Sequence, residues 1–358
     1  MVDDLLSAPA GGGAGPADLA PGDVAVMIPT SGTTGRSKLV MQTHRAYVMA
    51  GEGFPFWLGL GPEDRLLTSL PLFHINAPAY SVLGSVAAGA SLVLLPRFSA
   101  SAFLDSARRL GATQFNAIGA MVEILMRQPE QPSDRDHAIR LCYTGPAPAK
   151  ERHLEIERRF GFEVTSGYAL SETPYGLIWP RGSRPYATLG EPRQHPSLGV
   201  VNEARVTDEG ELELRNPAVM QGYFDMPEET AAVLVDGWLR TGDLVTANPD
   251  GTYTFVGRRK EVIRRRGENL SPAEVEAVLE RHPSVEEAAV IGVPSELGEE
   301  EVKAFLVLSD RAGFDPLALA DFARRHLAPF KVPRYVEVVA ALPRTATGRV
   351  AKHELPRE

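Results

Sequence analysis

The sequence has almost no cysteine, no excess of positive charge and no long hydrophobic run. Cys142 is its only cysteine, so no disulfide can form within this chain, and a reducing compartment, the cytoplasm, is indicated. Asp and Glu outnumber Lys and Arg by 46 to 37, and this negative net charge argues against a nucleic-acid partner. The most apolar stretch, residues 82–95, contains glycine and serine and is too short to cross a bilayer, so no membrane partner is expected.

The first residues do not resemble an export signal, because acidic residues stand where a signal peptide carries basic ones. Residues 7–22 are dominated by Ala, Gly and Pro, and we expect residues 1–22 to form a flexible leader. The chain is 44% hydrophobic and 23% charged, which is the composition of a globular protein. We interpret Cys142, which has apolar neighbours, as a small buried side chain and not as a catalytic thiol.

Short apolar runs alternate with helical patterns from residue 23 onward. Residues 66–70, 91–95 and 113–118 have the composition of buried strands. Residues 79–88 and 101–110 have that of helices, the second with Ser101 as its cap and Gly111 as its end. Such alternation predicts a parallel sheet with helices on both faces. We therefore predict an α/β fold for a large domain over residues 23–259.

A different pattern begins near the charged run at residues 257–261. Ser271, Pro272 and Glu274 occupy the positions of a helix cap, a first-turn proline and a capping-box carboxylate. Strands at residues 287–293, 302–308 and 335–339 and a helix at residues 316–327 complete an α+β unit of domain size. We place a hinge at Lys260 and predict a small, mobile C-terminal domain over residues 260–358.

The strongest local signal for a ligand is a polar, glycine-rich loop directly after the apolar run at residues 24–28. Glycines let the backbone approach an anion, hydroxyls donate to phosphate oxygens, and a lysine adds a point charge. The spacing differs from that of a Walker A loop, whose lysine directly follows the second glycine. A polar surface turn is the alternative interpretation. The loop consists of Thr30, Ser31, Gly32, Thr33, Thr34, Gly35, Arg36, Ser37 and Lys38.

This loop and six further motifs, in the same order, resemble the signatures of the acyl-CoA synthetase, adenylation-domain and luciferase superfamily. The resemblance covers residues 23–355, and residues 96–100 and 132–137 look most like crotonobetaine/carnitine-type CoA ligases. The six motifs are an aromatic gate (Pro71-Leu72-Phe73-His74), an adenine loop (Thr144-Gly145-Pro146-Ala147-Pro148), Gly167-Tyr168-Ala169-Leu170-Ser171-Glu172-Thr173, a ribose motif (Gly237-Trp238-Leu239-Arg240-Thr241-Gly242-Asp243), a hinge motif (Gly257-Arg258-Arg259-Lys260-Glu261-Val262-Ile263 with Gly267-Glu268-Asn269) and Pro343-Arg344-Thr345-Ala346-Thr347-Gly348.

The resemblance implies that these motifs bind ATP. Tyr168 would offer a flat face on which adenine stacks, although a core position is the alternative for this side chain. Asp243 can accept both ribose hydroxyls, unless it is simply a turn residue, and Arg258 can donate from the other side. The residues assigned to the nucleotide in this way are Thr30, Ser31, Gly32, Thr33, Thr34, Gly35, Lys38, Gly145, Ala147, Pro148, Gly167, Tyr168, Ser171, Asp243, Arg258 and Gly267.

The resemblance also implies a metal and catalytic groups. ATP carries concentrated negative charge, so its site requires Mg²⁺ and cations where pyrophosphate leaves. Glu172 is the candidate Mg²⁺ ligand, with Thr30 or Thr33 nearby, and a solvated loop carboxylate is the alternative. Lys38 would supply positive charge to the phosphates. His74 would act as a gate near the acyl carboxylate, although a lone histidine is more often a packed or surface residue.

The chain departs from the superfamily at the residue after Gly348. The superfamily has a catalytic lysine there, whereas this chain has Arg349, which we assign to the same step. Arginine keeps the charge but presents a planar fork in place of a point donor. Lys352 lies three residues further on, and whether it compensates is left open. The superfamily also has an N-terminal lobe before the phosphate loop, and this sequence begins just ahead of that loop.

The function implied is an ATP-dependent, AMP-forming ligase that joins a small-molecule carboxylic acid to coenzyme A. We expect residues 75–80 and 116–121 to line the acyl pocket, in which Asn76 and Asn116 favour a small or polar acid. Residues 264–266, three arginines, are either a solvated run or a contact for coenzyme A phosphates. A carrier-protein-loading adenylation enzyme and a nucleotide-binding pseudoenzyme are the alternatives. The pattern leaves the oligomeric state open.

Overall fold

The computed structural model describes residues 18–30, 38–265, 268–295, 300–309, 313–345 and 350–357. The largest sheet in these ranges has seven strands, of which five run parallel and two extend one edge antiparallel. The predicted parallel sheet is therefore confirmed, with an antiparallel edge that the sequence did not predict. In spatial order the strands are β4 (Ser91–Leu94), β3 (Arg65–Thr68), β5 (Gln114–Asn116), β6 (Leu141–Thr144), β7 (Glu163–Leu170), β8 (Thr173–Ile178) and β9 (Glu191–Pro192).

Helices cover both faces of this sheet, as predicted. Successive residues of a strand point to opposite faces, so Leu66 and Leu67 of β3 belong to two different core clusters. Cys142 of β6 lies in the Leu67 cluster and is fully buried, as expected for a structural cysteine, and burial raises the pKa of its thiol. Helices α1 (His44–Leu58) and α2 (Leu83–Ala88) lie on the Leu66 face, and α3 (Phe103–Leu110), α4 (Gly119–Met126) and α5 (Lys150–Phe160) lie on the Leu67 face.

Two helix starts differ from the sequence prediction. Helix α3 begins at Phe103 with Ala102 in the cap position, so Ser101 lies one residue too early to cap it. Gly111 ends the helix in the left-handed conformation (φ 64°), as predicted. The helix predicted over residues 79–88 begins as a π-helical segment (Ala77–Val82) and becomes α-helical only in α2.

Two antiparallel sheets complete the large domain. In the first, β1 (Val24–Thr30) pairs with β2 (Lys38–Thr43) so that Thr30 lies opposite Lys38, which brings the two ends of the phosphate loop together. The second carries Asp243 and Arg258 on neighbouring strands. The first sheet consists of β1 (Val24–Thr30), β2 (Lys38–Thr43) and β12 (Gly222–Tyr223), the second of β10 (Glu203–Val206), β11 (Glu211–Arg215), β13 (Leu234–Val235), β14 (Trp238–Ala247) and β15 (Tyr253–Arg258), and helix α6 (Pro227–Val233) connects them.

The C-terminal part is a smaller α+β unit with its own core, as the sequence predicts. A three-stranded sheet packs against two helices on one face and against Leu342 and Leu355 on the other. The middle strand, β19 (Glu300–Leu308), is antiparallel to β18 (Val285–Pro294) and parallel to β20 (Tyr335–Val338). The elements are β16 (Ile263–Arg265), β17 (Glu268–Leu270), α7 (Pro272–Leu279), β18 (Val285–Pro294), β19 (Glu300–Leu308), α8 (Pro316–His326) and β20 (Tyr335–Val338).

The predicted capping box of α7 does not form. Ser271 occupies the cap position with extended backbone, but its side chain makes no capping hydrogen bond. Glu274 instead accepts two hydrogen bonds from Lys331 Nζ, at 2.6 and 2.7 Å. A charged partner 57 residues away in sequence has therefore replaced the local hydrogen bond. Further upstream, Lys260, the predicted hinge, lies in a 3₁₀ turn (Arg259–Glu261) between β15 and β16.

No helix in the described part of the chain is long and apolar enough to span a membrane.

Candidate active site

A buried carboxylate stands at the centre of the candidate ribose site. Asp243 is 1% exposed and lies opposite Arg258 in the register of β14 and β15. Its Oδ1 is 3.0 Å from Arg258 Nε, and its Oδ2 accepts a hydrogen bond of 2.6 Å from the hydroxyl of Tyr168. The structure thus brings together three residues from three separate sequence motifs, with the carboxylate of Asp243 between the other two.

The electrostatics of this cluster keep the phenol of Tyr168 neutral. Burial raises the pKa of Tyr168 well above its usual value, and the charge of Asp243 raises it further, so the phenol keeps its proton and donates. Burial alone would lower the pKa of Arg258, but the charge of Asp243 and of nearby groups holds it above its usual value. A carboxylate with two acceptor oxygens suits two neutral hydroxyl donors such as those of ribose. Tyr168 packs against the core cluster that contains Leu177 and Leu212, and the stacking of its ring on adenine stays a prediction.

The candidate adenine loop follows β6 and lies directly against β7. A side-chain carbon on Gly145 would stand 2.6 Å from the carbonyl oxygen of Gly167, so only glycine permits this backbone approach. Gly167 is restricted in turn, because a carbon there would meet Arg193 Nη2 at 2.6 Å. Ala147 and Pro148 lie in the same loop before α5. This is the carboxyl end of the parallel strands, where α/β sheets bind ligands.

Lys38 and Glu172 meet through a residue that the sequence did not single out. The hydroxyl of Tyr223 donates to Glu172 Oε1 at 2.8 Å, and Lys38 Nζ lies 4.3 Å from the centre of the same ring. The turn that carries Glu172 is also anchored to β2, because Gln42 Nε2 donates to the Ser171 carbonyl at 2.6 Å. A cation and a carboxylate from motifs far apart in sequence thus contact one tyrosine, the cation at its ring face and the carboxylate at its hydroxyl.

Glu172 fits the role of a Mg²⁺ ligand that acts together with phosphate oxygens. The described residues contain no group of three or more His, Cys, Asp or Glu side chains able to hold a metal by themselves. Mg²⁺ commonly binds proteins through one or two carboxylates plus substrate phosphates and water. The single carboxylate of Glu172, with one oxygen occupied by Tyr223, fits this arrangement. Thr30, which is expected near the metal, is the last residue of β1 and pairs with Lys38 of β2.

Several of the predicted site residues fall outside the described part of the chain, and their assignments stay predictions. They are Ser31, Gly32, Thr33, Thr34 and Gly35 of the phosphate loop, Gly267 of the hinge motif, and Arg349.

Comparisons with known proteins agree with this geometry. Residues 4–224 match the model of the AMP-binding enzyme family, and residues 274–349 match the model of the AMP-binding enzyme C-terminal domain. The chain belongs to the AMP-binding enzyme family. The two matches fall on the large α/β part and on the small α+β part, which confirms the resemblance seen in the sequence motifs.

Relatives of this family member include ligases and solved complexes with ATP. The crotonobetaine/carnitine–CoA ligase of Salmonella paratyphi C (strain RKS4594) is 34% identical over 351 residues, and the match covers 93% of this chain but 66% of that ligase. ATP-bound MatB from Rhodopseudomonas palustris superposes with a TM-score of 0.85 at 30% identity. The match covers 94% of this chain and 68% of the MatB chain. The o-succinylbenzoate coenzyme A synthetase MenE from Bacillus subtilis, in complex with ATP and a magnesium ion, superposes with a TM-score of 0.82 at 31% identity. The match covers 94% of this chain and 70% of the MenE chain.

In this AMP-binding enzyme, the two asparagines expected in the acyl pocket lie in contact. Asn116 Nδ2 donates to Asn76 Oδ1 at 2.8 Å and to Ser81 Oγ at 3.0 Å. Asn116 Oδ1 accepts from Gln114 Nε2 at 2.6 Å, so the buried amide is held from both ends. His74 precedes this cluster and is partly exposed, in a turn after β3 where its N–H bonds to the Pro71 carbonyl at 3.0 Å. The structure thus places polar groups together, and the gating role of His74 stays a prediction.

A buried arginine behind the adenine loop was not predicted. Arg193 is fully buried and donates to the hydroxyls of Tyr80 and Tyr143, the first at 2.6 Å. Its guanidinium also lies 4.6 Å from the ring centre of Trp57, a cation–π contact. Because Arg193 Nη2 fills the space that a side chain on Gly167 would need, this arginine restricts the first position of the Gly167–Thr173 motif to glycine. Sequence spacing carries no signal for it, because its partners lie 50 and 113 residues away.

The three consecutive arginines do not form one surface. Arg265 is buried and pairs with Glu301 at 2.6 Å, while Arg264 is exposed and Arg266 lies outside the described residues. Neither a fully solvated run nor a shared contact for coenzyme A phosphates therefore describes all three side chains. Alternation along β16 explains the difference, since neighbouring strand residues face opposite sides.

Lys352, considered as a substitute for the catalytic lysine, is engaged inside the C-terminal part. Its Nζ lies 2.7 Å from Glu276 Oε1 and 3.0 Å from Glu261 Oε2. Burial alone would lower the pKa of Lys352, but these two carboxylates hold it above its usual value. In this arrangement Lys352 connects the predicted hinge turn to helix α7.

Proposed function

We propose that the protein activates a small-molecule carboxylic acid with ATP and transfers the acyl group to coenzyme A. The observation that carries this proposal is the buried carboxylate of Asp243 between Tyr168 and Arg258, next to the adenine loop at the carboxyl end of the central sheet. Family membership supports it. The chain spans 66% of the length of the curated ligase that it matches, so the complete activity is a proposal.

The first half-reaction is formation of an acyl-adenylate. A carboxylate oxygen of the acid attacks the α-phosphorus of ATP, a new P–O bond forms, and the bond to the β-phosphate oxygen breaks so that pyrophosphate leaves. Asp243 and Arg258 would hold the ribose and so fix the α-phosphate in position. Lys38 would place a positive charge beside the phosphates. Mg²⁺ held by Glu172 would neutralise charge on the phosphate oxygens.

The second half-reaction transfers the acyl group to sulfur. The thiol of coenzyme A loses its proton and attacks the acyl carbon, a thioester forms, and AMP leaves. We propose that the domain boundary lies at residues 259–260 and that the C-terminal part moves between the two half-reactions, since each needs different groups at one site. The 3₁₀ turn at Arg259–Glu261 is a short connection that supports such a hinge.

The contacts around Asn116 favour a small or polar acid. Asn76, Asn116 and Ser81 place amide and hydroxyl groups together in the expected pocket region, whereas a long alkyl chain needs an apolar lining. Crotonobetaine and carnitine, named for the ligase relative, are charged small acids of this kind and belong in the substrate panel.

The test is a panel of short polar, aromatic and long-chain acids, each incubated with protein, ATP, Mg²⁺ and coenzyme A. We expect AMP and pyrophosphate in equal amounts and an acyl-CoA product visible by mass spectrometry for at least one short polar acid. Hydroxylamine should trap the adenylate as a hydroxamate when coenzyme A is left out. An adenylate that forms but is not consumed by coenzyme A would contradict the ligase assignment and favour carrier loading. ATP binding without adenylate from any acid would favour the pseudoenzyme.

A further inference from the structure

Tyr223 contacts two candidate active-site residues that no hydrogen bond links directly. Its hydroxyl donates to Glu172 Oε1 at 2.8 Å, and its ring lies 4.3 Å from Lys38 Nζ. Tyr223 itself is 7% exposed, so both contacts occur at the edge of the core and not in open solvent. One side chain thus bridges the end of the phosphate loop and the candidate metal ligand.

The sheet register explains why this tyrosine reaches both partners. Tyr223 pairs with Val40 across strands β12 and β2. Lys38 lies two residues before Val40 and therefore points to the same face of β2, within diagonal reach of a cross-strand aromatic ring. On its other side, Tyr223 is fixed by its own backbone, whose N–H donates to Thr230 Oγ1 at 2.9 Å.

The chemistry of the phenol suits a connecting role. The hydroxyl of Tyr223 has one hydrogen, and it donates that hydrogen to Glu172. The hydrogen bond occupies Glu172 Oε1, so the second oxygen, Oε2, is the one that would bind a metal. The ring face carries partial negative charge and attracts the lysine ammonium.

We propose that Tyr223 is a positioning residue that orients Glu172 toward Mg²⁺ and holds Lys38 against the phosphates of the same nucleotide. This inference rests on the proposed function, because it assigns those two roles to Glu172 and Lys38. Removal of a group that hydrogen-bonds to a metal ligand, and so orients it, typically lowers metal affinity on the order of 10- to 100-fold.

The experiment separates the hydroxyl from the ring. Tyr223→Phe keeps the ring under Lys38 and removes the hydrogen bond to Glu172, whereas Tyr223→Leu removes both. Calorimetry measures ATP affinity in EDTA and across a Mg²⁺ titration for the wild type and both variants, and thermal unfolding reports folding. Tyr47→Phe is the matched control, since it removes a buried hydroxyl that has no hydrogen-bond partner among the described residues.

We expect Tyr223→Phe to lower the apparent Mg²⁺ affinity by about tenfold or more and to leave ATP binding in EDTA unchanged. Tyr223→Leu should in addition weaken ATP binding in EDTA by about three- to tenfold, because Lys38 loses its support. In a Glu172→Gln background, Tyr223→Phe should have no further effect on the Mg²⁺ dependence. Tyr47→Phe should match the wild type in both conditions.

Two results for the variants would overturn the inference. One is a Tyr223→Phe protein with the Mg²⁺ dependence of the wild type, and the other is an equal loss of affinity with and without Mg²⁺, which a merely structural role would give. Either result leaves the proposed function intact, provided that the wild type binds Mg²⁺ and ATP. A wild type that binds no ATP would instead overturn the proposed function and, with it, this inference.

Discussion

Glu211 and Arg259 form an ion pair of 2.7 Å that joins the ribose site to the predicted hinge. Glu211 is 3% exposed, and its second oxygen accepts the backbone N–H of Gly242 at 2.9 Å. Gly242 directly precedes Asp243, while Arg259 directly precedes Lys260, the hinge residue predicted from the sequence. One buried carboxylate therefore connects the residue that would hold the ribose with the segment about which the C-terminal part would turn.

Substitutions of Glu211 should separate these two contacts. Glu211→Gln keeps an acceptor for Gly242 but loses the charge that holds Arg259, so we expect near-normal ATP affinity and an altered ratio between adenylation and thioester formation. Glu211→Ala loses both contacts and should weaken ATP binding by about 1–3 kcal/mol, since the Gly242 N–H is left without its partner. Calorimetry and half-reaction assays measure the two effects.

Glu209 provides the control for this pair. It also pairs with Arg259, at 2.7 Å, but from a side chain that is 67% exposed, where ion pairs contribute little. Glu209→Gln should therefore behave like the wild type. If Glu209→Gln changed the half-reactions as strongly as Glu211→Gln, the loss of either negative charge beside Arg259 would explain the effect, and the buried connection would not be required.

Asp243 gives the most direct test of the ribose assignment. Asp243→Ala should weaken ATP binding by about 1.5–3 kcal/mol, the range for hydrogen bonds to a charged group. Tyr168→Phe should have a smaller effect, because it frees one oxygen of Asp243 without removing the carboxylate. Calorimetry with ATP and with 2′,3′-dideoxy-ATP distinguishes the roles. Equal losses for the two nucleotides in Asp243→Ala would show that the carboxylate does not bind ribose hydroxyls.

The comparison of sequence and structure shows which features are readable from local patterns. Asp243, Tyr168 and Glu172 were predicted because each lies within a contiguous motif next to a strand, and the register of the strands then brings the motifs together. Tyr223 was not predicted, since its contact with Glu172 joins residues 51 positions apart and leaves no pattern in either segment. The capping box of α7 failed for a related reason, because Glu274 found a distant cation.

The C-terminal part should show a pH-dependent stability that arises from Glu280. Loss of hydration raises the pKa of this carboxyl from 4.5 to about 7, opposed by the hydrogen bond from the Ala288 N–H and reinforced by the charges of Glu276 and Glu287. Between about pH 4.5 and 7, the folded state therefore holds a proton on Glu280 that the unfolded state has released. Stability from this group is complete below about pH 4.5 and is lost as the pH rises through about 7.

Glu280→Gln should remove this dependence. The variant should gain stability relative to the wild type as the pH rises from 5 to 8, and the gain should level off above the raised pKa. Part of the Glu280 residue is exposed, so solvent screening makes the direction, and not the size, the prediction. Urea unfolding at several pH values measures it, with Glu286→Gln, which changes an exposed neighbouring carboxylate, as the control. A stability difference that is constant with pH would contradict the raised pKa.

Arg349 stands where the superfamily has its catalytic lysine, and the position of Lys352 makes this replacement testable. Lys352 is held between Glu276 and Glu261, so it is already engaged and does not serve as the missing lysine in this arrangement. A guanidinium fits the gap between carboxylate and α-phosphate less well than an ammonium does, because its donors lie in one plane. Arg349→Lys should therefore speed pyrophosphate exchange by roughly tenfold, about 1.4 kcal/mol of barrier, and leave thioester formation from supplied acyl-adenylate nearly unchanged.

Lys352→Met should lower the unfolding temperature, since it leaves two carboxylates without their cation, yet should not slow pyrophosphate exchange in the folded protein. Slower exchange in Arg349→Lys would show instead that the arginine is adapted to adenylation, and slower exchange in folded Lys352→Met would show that Lys352 leaves its carboxylates to take the role of the lysine.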